Sequence, residues 1–187
     1  MENYLIKVKK FYKKNHRLPT YSEMARLLGF ASRNSVFRIT QKWIEEGLIQ
    51  NINNKLSPTS QFFALPLYGF VKAGYPIIAE ENKEYLTIDE YLIGDPTSTF
   101  LLKVSGDSMI NAGIFDGDVV VIEDRKEAQN NDIVLAEIDR EWTLKYLKKN
   151  KKETYLAPAN DNYPMLYPQE ELKIRGIVKG VIRKIHS

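Results

Sequence analysis

The strongest constraint on the fold of this chain is a change in hydrophobic periodicity near residues 65–69. Before that point, apolar residues recur every three or four positions, which is typical of amphipathic helices. After it, they form short runs separated by Gly, Asp and Asn, which is typical of β-strands and tight turns. The chain is therefore predicted to be an α+β protein, with a helical N-terminal domain and a mostly antiparallel β domain in its C-terminal two thirds.

The N-terminal domain is predicted to contain three helices. Residues 4–14 place an apolar stripe among five lysines, as expected for an amphipathic helix. Thr20 and Glu23 have the spacing of a capping box, which starts a second helix. Ser32 is suited to cap a third helix that continues to about residue 46.

A β-hairpin is expected after the third helix. Residues 48–50 form its predicted first strand, residues 51–55 its turn, and residues 61–65 its returning strand. Three helices and a hairpin indicate a winged helix-turn-helix, whose third helix enters the major groove of DNA. Residues 1–65 contain 11 Lys and Arg against 4 Asp and Glu, while residues 66–187 are net acidic. This charge distribution favours nucleic-acid binding by the first part of the chain.

The third helix has one apolar face and one polar face. Val36, Ile39 and Trp43 have the spacing of core residues, and the opposite face carries side chains of the kinds that contact base edges. A generic three-helix bundle with a solvated basic surface is the alternative interpretation. The candidate DNA-binding residues lie on this helix or in the hairpin turn: Ser32, Arg33, Asn34, Ser35, Phe37, Arg38, Gln41, Lys42 and Lys55.

The C-terminal domain combines short strands with a serine and a lysine that are candidates for catalysis. Its predicted strands cover residues 100–104, 118–122, 132–138, 141–147, 152–156 and 173–183.

Ser108 lies in a Gly-Asp-Ser-Met turn, and Lys145 lies in the fourth strand. A serine hydroxyl needs a base to become a nucleophile, and burial lowers the pKa of a lysine toward that role. The backbone N–H groups of Asp107 and Ser108 would face a developing oxyanion. Taken singly, Ser108 is better explained by an ordinary turn, and Lys145 by an edge lysine that reaches solvent.

Composition disfavours other kinds of site. The chain has no cysteine, which excludes a disulfide framework, a thiolate zinc site and a cysteine nucleophile. Its only histidines, His16 and His186, lie at opposite ends of the sequence, which disfavours a histidine triad or metal cluster. No apolar run approaches the roughly 18 residues of a membrane span, and the first residues do not form a signal peptide. We therefore expect no metal, no cofactor and no membrane association, and a cytoplasmic location.

A series of motifs runs along nearly the whole chain. They lie at residues 18–20 and 25–30 of the predicted DNA-binding domain, at 69–74 beyond it, at 104–109 and 113–118 around Ser108, at 143–147 around Lys145 and at 180–183 in the last predicted strand. In this order they resemble the DNA-binding domain, cleavage segment, nucleophile region, base strand and closing strand of the LexA family of self-cleaving repressors, which act in the bacterial DNA-damage (SOS) response.

The resemblance implies Ser108 as the nucleophile, Lys145 as the general base, and the bond between Ala73 and Gly74 as the scissile bond. It implies cleavage within one chain, stimulated by the RecA–single-stranded-DNA filament. It also implies a homodimer formed through the C-terminal domain, bound to a palindromic operator in the bacterial nucleoid. The expected domains are a winged helix-turn-helix at 1–65, a linker and cleavage segment at 66–80, and a self-cleavage and dimerisation domain at 81–187.

Three other functions remain open from the sequence. A phage or mobile-element repressor would use the same chemistry on other target genes. A DNA-binding regulator would use the C-terminal domain only for dimerisation. A peptidase acting on other proteins, resembling signal peptidase, is disfavoured by the absent membrane segment and the internal Ala73–Gly74 bond.

Overall fold

The chain forms two compact units in the computed structural model, Met1–Ile88 and Asp89–Ser187, and each is described by itself. The structure describes residues 2–67 and 84–185. The predicted linker and cleavage segment falls largely outside these ranges, so the domain boundaries remain a prediction.

Three helices open the first unit: α1 at Glu2–Asn15, α2 at Tyr21–Leu28 and α3 at Arg33–Glu45. The predicted capping box is present at α2, where Thr20 Oγ1 accepts from the Glu23 N–H and the Glu23 carboxylate accepts from the Thr20 N–H. Ser32 caps α3 by accepting from the N–H of Ser35, as predicted.

The core of the first unit lies between these helices and the segment that follows them. Val8, Met24, Val36 and Trp43 are almost fully buried there, and so is Phe62 from a short 3₁₀ helix at Ser60–Phe63. Burying a side chain of this size contributes about 1.5–3 kcal/mol relative to leaving it exposed. The apolar stripe of α3 therefore faces the core, as the sequence predicted.

The hairpin of the first unit differs from the prediction. Strand β1 spans Ile49–Ile52 and pairs antiparallel with β2 at Lys55–Pro58, so the returning strand is not at residues 61–65. Asn53 and Asn54 both adopt the left-handed conformation, with φ of 51° and 61°. Two such residues make the tight two-residue turn favoured by hairpins, so the chain reverses between Ile52 and Lys55.

Two further short strands belong to the first unit, and a short helix spans the boundary at Ile88. Strand β3 at Leu65–Leu67 pairs antiparallel with β4 at Glu84–Leu86, and α4 follows at Ile88–Leu92.

A six-stranded antiparallel sheet makes up most of the second unit. Its strands run in the spatial order β5-β6-β10-β7-β8-β9, and every pair of neighbours is antiparallel. All six predicted strands are present within two residues of their expected bounds. They are β5 at Thr99–Lys103, β6 at Val119–Glu123, β7 at Ile133–Ile138, β8 at Glu141–Lys149, β9 at Thr154–Ala157 and β10 at Leu172–Ile182.

Strand β10 joins two parts of this sheet. Its first half pairs with β7 and its second half with β6, with register shifts beside Gly176 and Gly180. A Cβ at Gly176 would overlap the Ile122 side chain and lie 2.8 Å from the carbonyl oxygen of Glu123. Only glycine permits this close approach of β10 to β6.

Two apolar clusters pack the sheet. One contains Val134, Ala136, Leu147 and Leu156, and the other contains Met109, Ile114, Val120 and Leu135 with neighbouring residues. Val134 and Leu135 are adjacent but belong to different clusters, because successive residues of a strand face opposite sides. Met109 fixes the segment after β5 to the second cluster and so positions the neighbouring Ser108.

Candidate functional site

Ser108 and Lys145 meet in the second unit. Lys145 lies at the middle of β8 and Ser108 lies on the turn between β5 and β6, 37 residues earlier. The distance between Lys145 Nζ and Ser108 Oγ is 2.8 Å, which is a hydrogen bond. The structure therefore brings together the two residues that the sequence singled out.

Lys145 has surroundings that disfavour its charged form. The residue is only 6% exposed, and burial lowers the pKa of its amine below the ordinary value. Its hydrogen-bond partners are neutral: Ser108 Oγ, Thr143 Oγ1 at 2.9 Å and the Leu144 carbonyl at 3.0 Å. No carboxylate of the described residues forms an ion pair with it.

These three contacts match the hydrogen-bonding capacity of a neutral amine. A neutral amine has two N–H donors and one lone pair, and the Leu144 carbonyl can only accept. With the Thr143 hydroxyl as the second acceptor, the lone pair of Lys145 remains free to accept the O–H of Ser108. The geometry thus suits proton transfer from the serine hydroxyl to the lysine amine.

The turn that carries Ser108 is held by the chain around it. Gly106 adopts a φ of 95°, and its N–H donates to the Asp116 carboxylate at 2.8 Å. Val104 makes backbone hydrogen bonds to Asp118 and Gly117 at 2.8 and 3.0 Å. The glycine is needed here because side-chain-bearing residues rarely adopt this φ.

A loop distant in sequence also contacts this turn, and no sequence pattern indicated this contact. The N–H of Ala159 donates to the Ser108 carbonyl at 2.9 Å, and Asn160 Nδ2 donates to the Asp107 carbonyl at 3.1 Å. The Tyr163 hydroxyl donates to the Asp107 carboxylate, which raises the pKa of Tyr163.

An ion pair between buried Asp118 and partly exposed Arg183 holds the residue that precedes β6. Asp118 is 3% exposed and accepts from Arg183 Nε at 2.7 Å and from its second nitrogen at 2.6 Å. Arg183 and the Phe115 N–H hold the pKa of Asp118 at about 2. Arg183 also donates to the Gly113 carbonyl and lies over the Phe115 ring. One guanidinium therefore contacts three residues of the segment between β5 and β6.

The predicted oxyanion donors have no competing partner in the described parts of the chain. No hydrogen bond there uses the N–H of Asp107 or that of Ser108. A cleft of about 350 Å³ adjoins Ser108. Its apolar lining comes from Leu102, Val104, Met109, Leu135, Trp142 and Leu144. A backbone carbonyl with an apolar neighbouring side chain suits such a cleft.

The other predicted site residues belong to the predicted cleavage segment and to the first unit. Ala73 and Gly74 lie outside the described residues. On α3, the side chains of Asn34, Phe37 and Arg38 are exposed, with Phe37 at 53%.

The other candidate DNA-binding residues lie on α3, at its N-cap and on the hairpin. Gln41 and Lys42 are half-buried, whereas Lys55 on the hairpin is exposed. A concave surface in the first unit is lined by residues of α2, α3 and the hairpin, among them Arg33, Asn34 and Asn54.

Within residues 2–67 and 84–185, no helix has the length and apolar character needed to cross a membrane. The same ranges contain no cluster of three or more His, Asp or Glu side chains arranged to hold a metal ion.

Comparison with known proteins identifies the family. The family model described as Peptidase S24-like matches residues 66–179, which include Ser108 and Lys145. The LexA repressor of Alcanivorax borkumensis is 37% identical over 189 residues, which cover 96% of this chain and 92% of that protein. The LexA repressor of Acetivibrio thermocellus is 36% identical, covering 92% and 90%. That of Haemophilus influenzae is 37% identical, covering 88% and 86%. This chain therefore belongs to the LexA repressor family and carries its Peptidase S24-like domain.

Proposed function

We propose that this chain is a repressor that binds palindromic operator DNA as a dimer and inactivates itself by cutting the bond between Ala73 and Gly74. The hydrogen bond of 2.8 Å between Lys145 Nζ and Ser108 Oγ carries the proposal, because burial there favours the neutral amine. Membership of the LexA repressor family supports a role in the SOS response. From the same family resemblance we also propose that the RecA–single-stranded-DNA filament stimulates cleavage.

The reaction follows from the chemistry of the two side chains. Neutral Lys145 takes the hydroxyl proton of Ser108, and the serine oxygen attacks the carbonyl carbon of Ala73. The N–H groups of Asp107 and Ser108 stabilise the oxyanion that forms. The Lys145 ammonium then gives its proton to the leaving nitrogen of Gly74, and the peptide bond breaks. Water hydrolyses the resulting ester, with Lys145 again acting as the base.

Incubation of purified protein at rising pH tests this mechanism. Mass spectrometry should find two products, residues 1–73 and 74–187, and their rate of formation should rise with pH as Lys145 loses its proton. Lys145→Arg should be inactive, because a guanidinium stays protonated and cannot accept the proton.

Ser108→Ala provides the decisive variant, with Ser105→Ala as its control on the same turn. Ser108→Ala should fold and give no products, whereas Ser105→Ala should still cleave. Normal processing of Ser108→Ala would exclude the serine mechanism. If the wild-type protein gives no products at any pH, the result favours the alternative function of a DNA-binding regulator whose second domain does not cleave.

We propose that α3 and the β1–β2 hairpin of the first unit form a winged helix-turn-helix that contacts DNA. The support is the capped α3 with Asn34, Phe37 and Arg38 exposed on one face, and the adjacent hairpin that carries Lys55. Asn and Arg side chains on an exposed helix can make paired hydrogen bonds to base edges in the major groove.

Cleavage should weaken DNA binding, because separating the two units removes the link between two DNA-binding domains. A dimer that engages one half-site holds its second domain near the other half-site at high effective concentration. A palindromic duplex selected from a random pool by Ser108→Ala protein should therefore bind the intact protein more tightly than fragment 1–73. Equal affinity of the intact protein and the fragment would refute the proposal that cleavage weakens DNA binding.

A further inference from the structure

We propose that Asn160 is a positioning residue that aims the backbone N–H of Ser108 at the oxyanion formed during self-cleavage. This role rests on the proposed function, since it concerns the same reaction. Its basis is a set of hydrogen bonds between the loop of residues 159–163 and the turn that carries Ser108.

Asn160 acts on the peptide unit that joins Asp107 to Ser108. The carbonyl oxygen of Asp107 accepts from Asn160 Nδ2 at 3.1 Å and from the Ile110 N–H at 3.1 Å. The described residues contain no cis peptide bond. In a planar trans peptide the C=O and the N–H point in opposite directions. Two donors on the Asp107 carbonyl therefore also fix the direction of the Ser108 N–H.

The orientation of the Asn160 amide is itself fixed by its surroundings. Asn160 is 9% exposed, and its Oδ1 accepts from the Asn162 N–H at 3.1 Å while its Nδ2 donates to Asp107. A rotation of the amide by 180° would place its NH₂ group against the Asn162 N–H and its oxygen against the Asp107 carbonyl. Both hydrogen bonds would be lost, so the donor stays directed at Asp107.

The preceding residue holds the other peptide unit next to the nucleophile. The N–H of Ala159 donates to the carbonyl of Ser108 at 2.9 Å, and the carbonyl of Ala159 accepts from the Asn111 N–H at 2.8 Å. Ala159 and Asn160 thus hold the two peptide units that flank the Ser108 side chain. Donors fixed before the reaction begins cost no reorganisation when charge develops, which is the advantage of a rigid oxyanion site.

Two substitutions separate this role from a general effect on folding. Asn160→Ala removes the donor to Asp107 and the acceptor for Asn162. Asn160→Asp keeps the acceptor and the size of the side chain but removes the donor. Asn162→Ala is the matched control, because that exposed side chain lies in the same loop and keeps the backbone N–H that donates to Asn160.

The rate of self-cleavage of the full-length protein, measured against pH at a temperature well below each melting transition, tests the role. Both Asn160 variants should show a maximal rate about 10- to 100-fold below that of the wild type, as expected for a displaced oxyanion donor. The midpoint of the pH–rate curve of Asn160→Ala should equal that of the wild type, because Lys145 keeps its surroundings. Asn162→Ala should cleave at the wild-type rate.

A purely structural role would give a different result. It would lower the melting temperature of the variants but leave the cleavage rate of the folded protein unchanged. Maximal rates within twofold of the wild type, or a shifted pH midpoint in Asn160→Ala, would therefore overturn the positioning role while the proposed function stands. If Asn160→Ala does not fold, the maximal rate of Asn160→Asp decides. Absence of cleavage in the wild type at every pH would overturn the proposed function and this role together.

Discussion

Replacing Lys145 by Met tests whether the fold holds this amine in its neutral form. Methionine is similar in length but carries no charge. Burial lowers the pKa of Lys145 from the ordinary 10.5, and its three hydrogen-bond partners are neutral. We expect the folded wild-type protein to bind fewer protons than its unfolded chain between the lowered pKa and 10.5.

The magnitude follows from one proton. Below the folded pKa, Lys145 is protonated in both states, and the cost of burying its charge is present in full. As the pH rises from the folded pKa to 10.5, the wild type gains up to about 1.4 kcal/mol of stability per pH unit relative to Lys145→Met. The hydrogen bonds lost in the variant add an offset that does not change with pH, so the slope is the quantity predicted.

Urea unfolding monitored by circular dichroism, between about pH 6 and pH 11, measures this slope. The comparison is made with Ser108→Ala in both proteins, so that neither cleaves during the experiment. Lys152→Met is the matched control, because Lys152 is exposed in the turn before β9. The stability difference between this variant and the wild type should not change with pH as it does for Lys145→Met.

A second measurement makes the prediction stricter. The pH at which the stability difference begins to change should lie near the midpoint of the cleavage-rate profile, since burial of the same amine lowers the pKa in both measurements. The two values need not be identical, because the stability background lacks the Ser108 hydroxyl. A stability difference that stays constant across the whole pH range would refute the assignment of a lowered pKa to Lys145. Cleavage by Lys145→Met at the wild-type rate would refute its role as the base.

Three further predictions concern other parts of the molecule. Gly176→Ala should destabilise the second unit by about 1–3 kcal/mol in urea unfolding, because the added methyl group overlaps Ile122 and the backbone of β6. Arg183→Met should destabilise the protein at neutral pH, and this loss should shrink as the pH falls from 3.8 to about 2, where Asp118 becomes protonated in the wild type. Arg38→Ala should weaken binding to the selected duplex by about 1–3 kcal/mol in a fluorescence titration if Arg38 contacts a base edge.

Each of these predictions has a control within the chain. Gly94→Ala should be nearly neutral, because a Cβ there would meet no atom within 4 Å. Arg140→Met removes only an exposed ion pair with Glu170, so its effect on stability should be small at every pH. Lys14→Ala, at the end of α1, should change DNA affinity less than Arg38→Ala. Equal effects of a test variant and its control would contradict the corresponding prediction.

Local chemistry made much of this fold predictable. The capping box of Thr20 and Glu23, and the cap at Ser32, depend on residues three positions apart, so the sequence contains the whole interaction. The strands of the second unit were also predictable, because alternating apolar runs ended at clear turn residues.

The error in the hairpin has a physical explanation. A short apolar run such as residues 61–65 has the same hydrophobic pattern in a strand and in a buried 3₁₀ helix. Phe62 is buried in the core of the first unit from such a helix, and the turn at Asn53 and Asn54 had already reversed the chain. The tight turn was the more informative signal.

The pairing of Ser108 with Lys145 at the candidate site was predictable from the sequence, but the residues that support this pair were not. Ser108 and Lys145 were recognisable from the chemistry of their side chains and from the family resemblance. Asn160 lies 53 residues from Asp107, and nothing in its local sequence indicates which carbonyl it contacts. Such a support depends on tertiary packing, which a hydrophobic pattern does not record.

The position of β10 governs when the site can form during synthesis. β10 is the last of the described strands along the chain, yet it lies between β6 and β7 and links them. The β5–β6 pair, next to Ser108, and the β7–β9 meander, which carries Lys145, have no shared sheet until β10 is added. A nascent chain whose residues 172–182 have not yet left the ribosome therefore lacks the strand that brings Ser108 and Lys145 into one sheet. The helices of the first unit rely on nearby contacts and can form earlier, so a growing polypeptide acquires its helical unit before it acquires the means to cut itself.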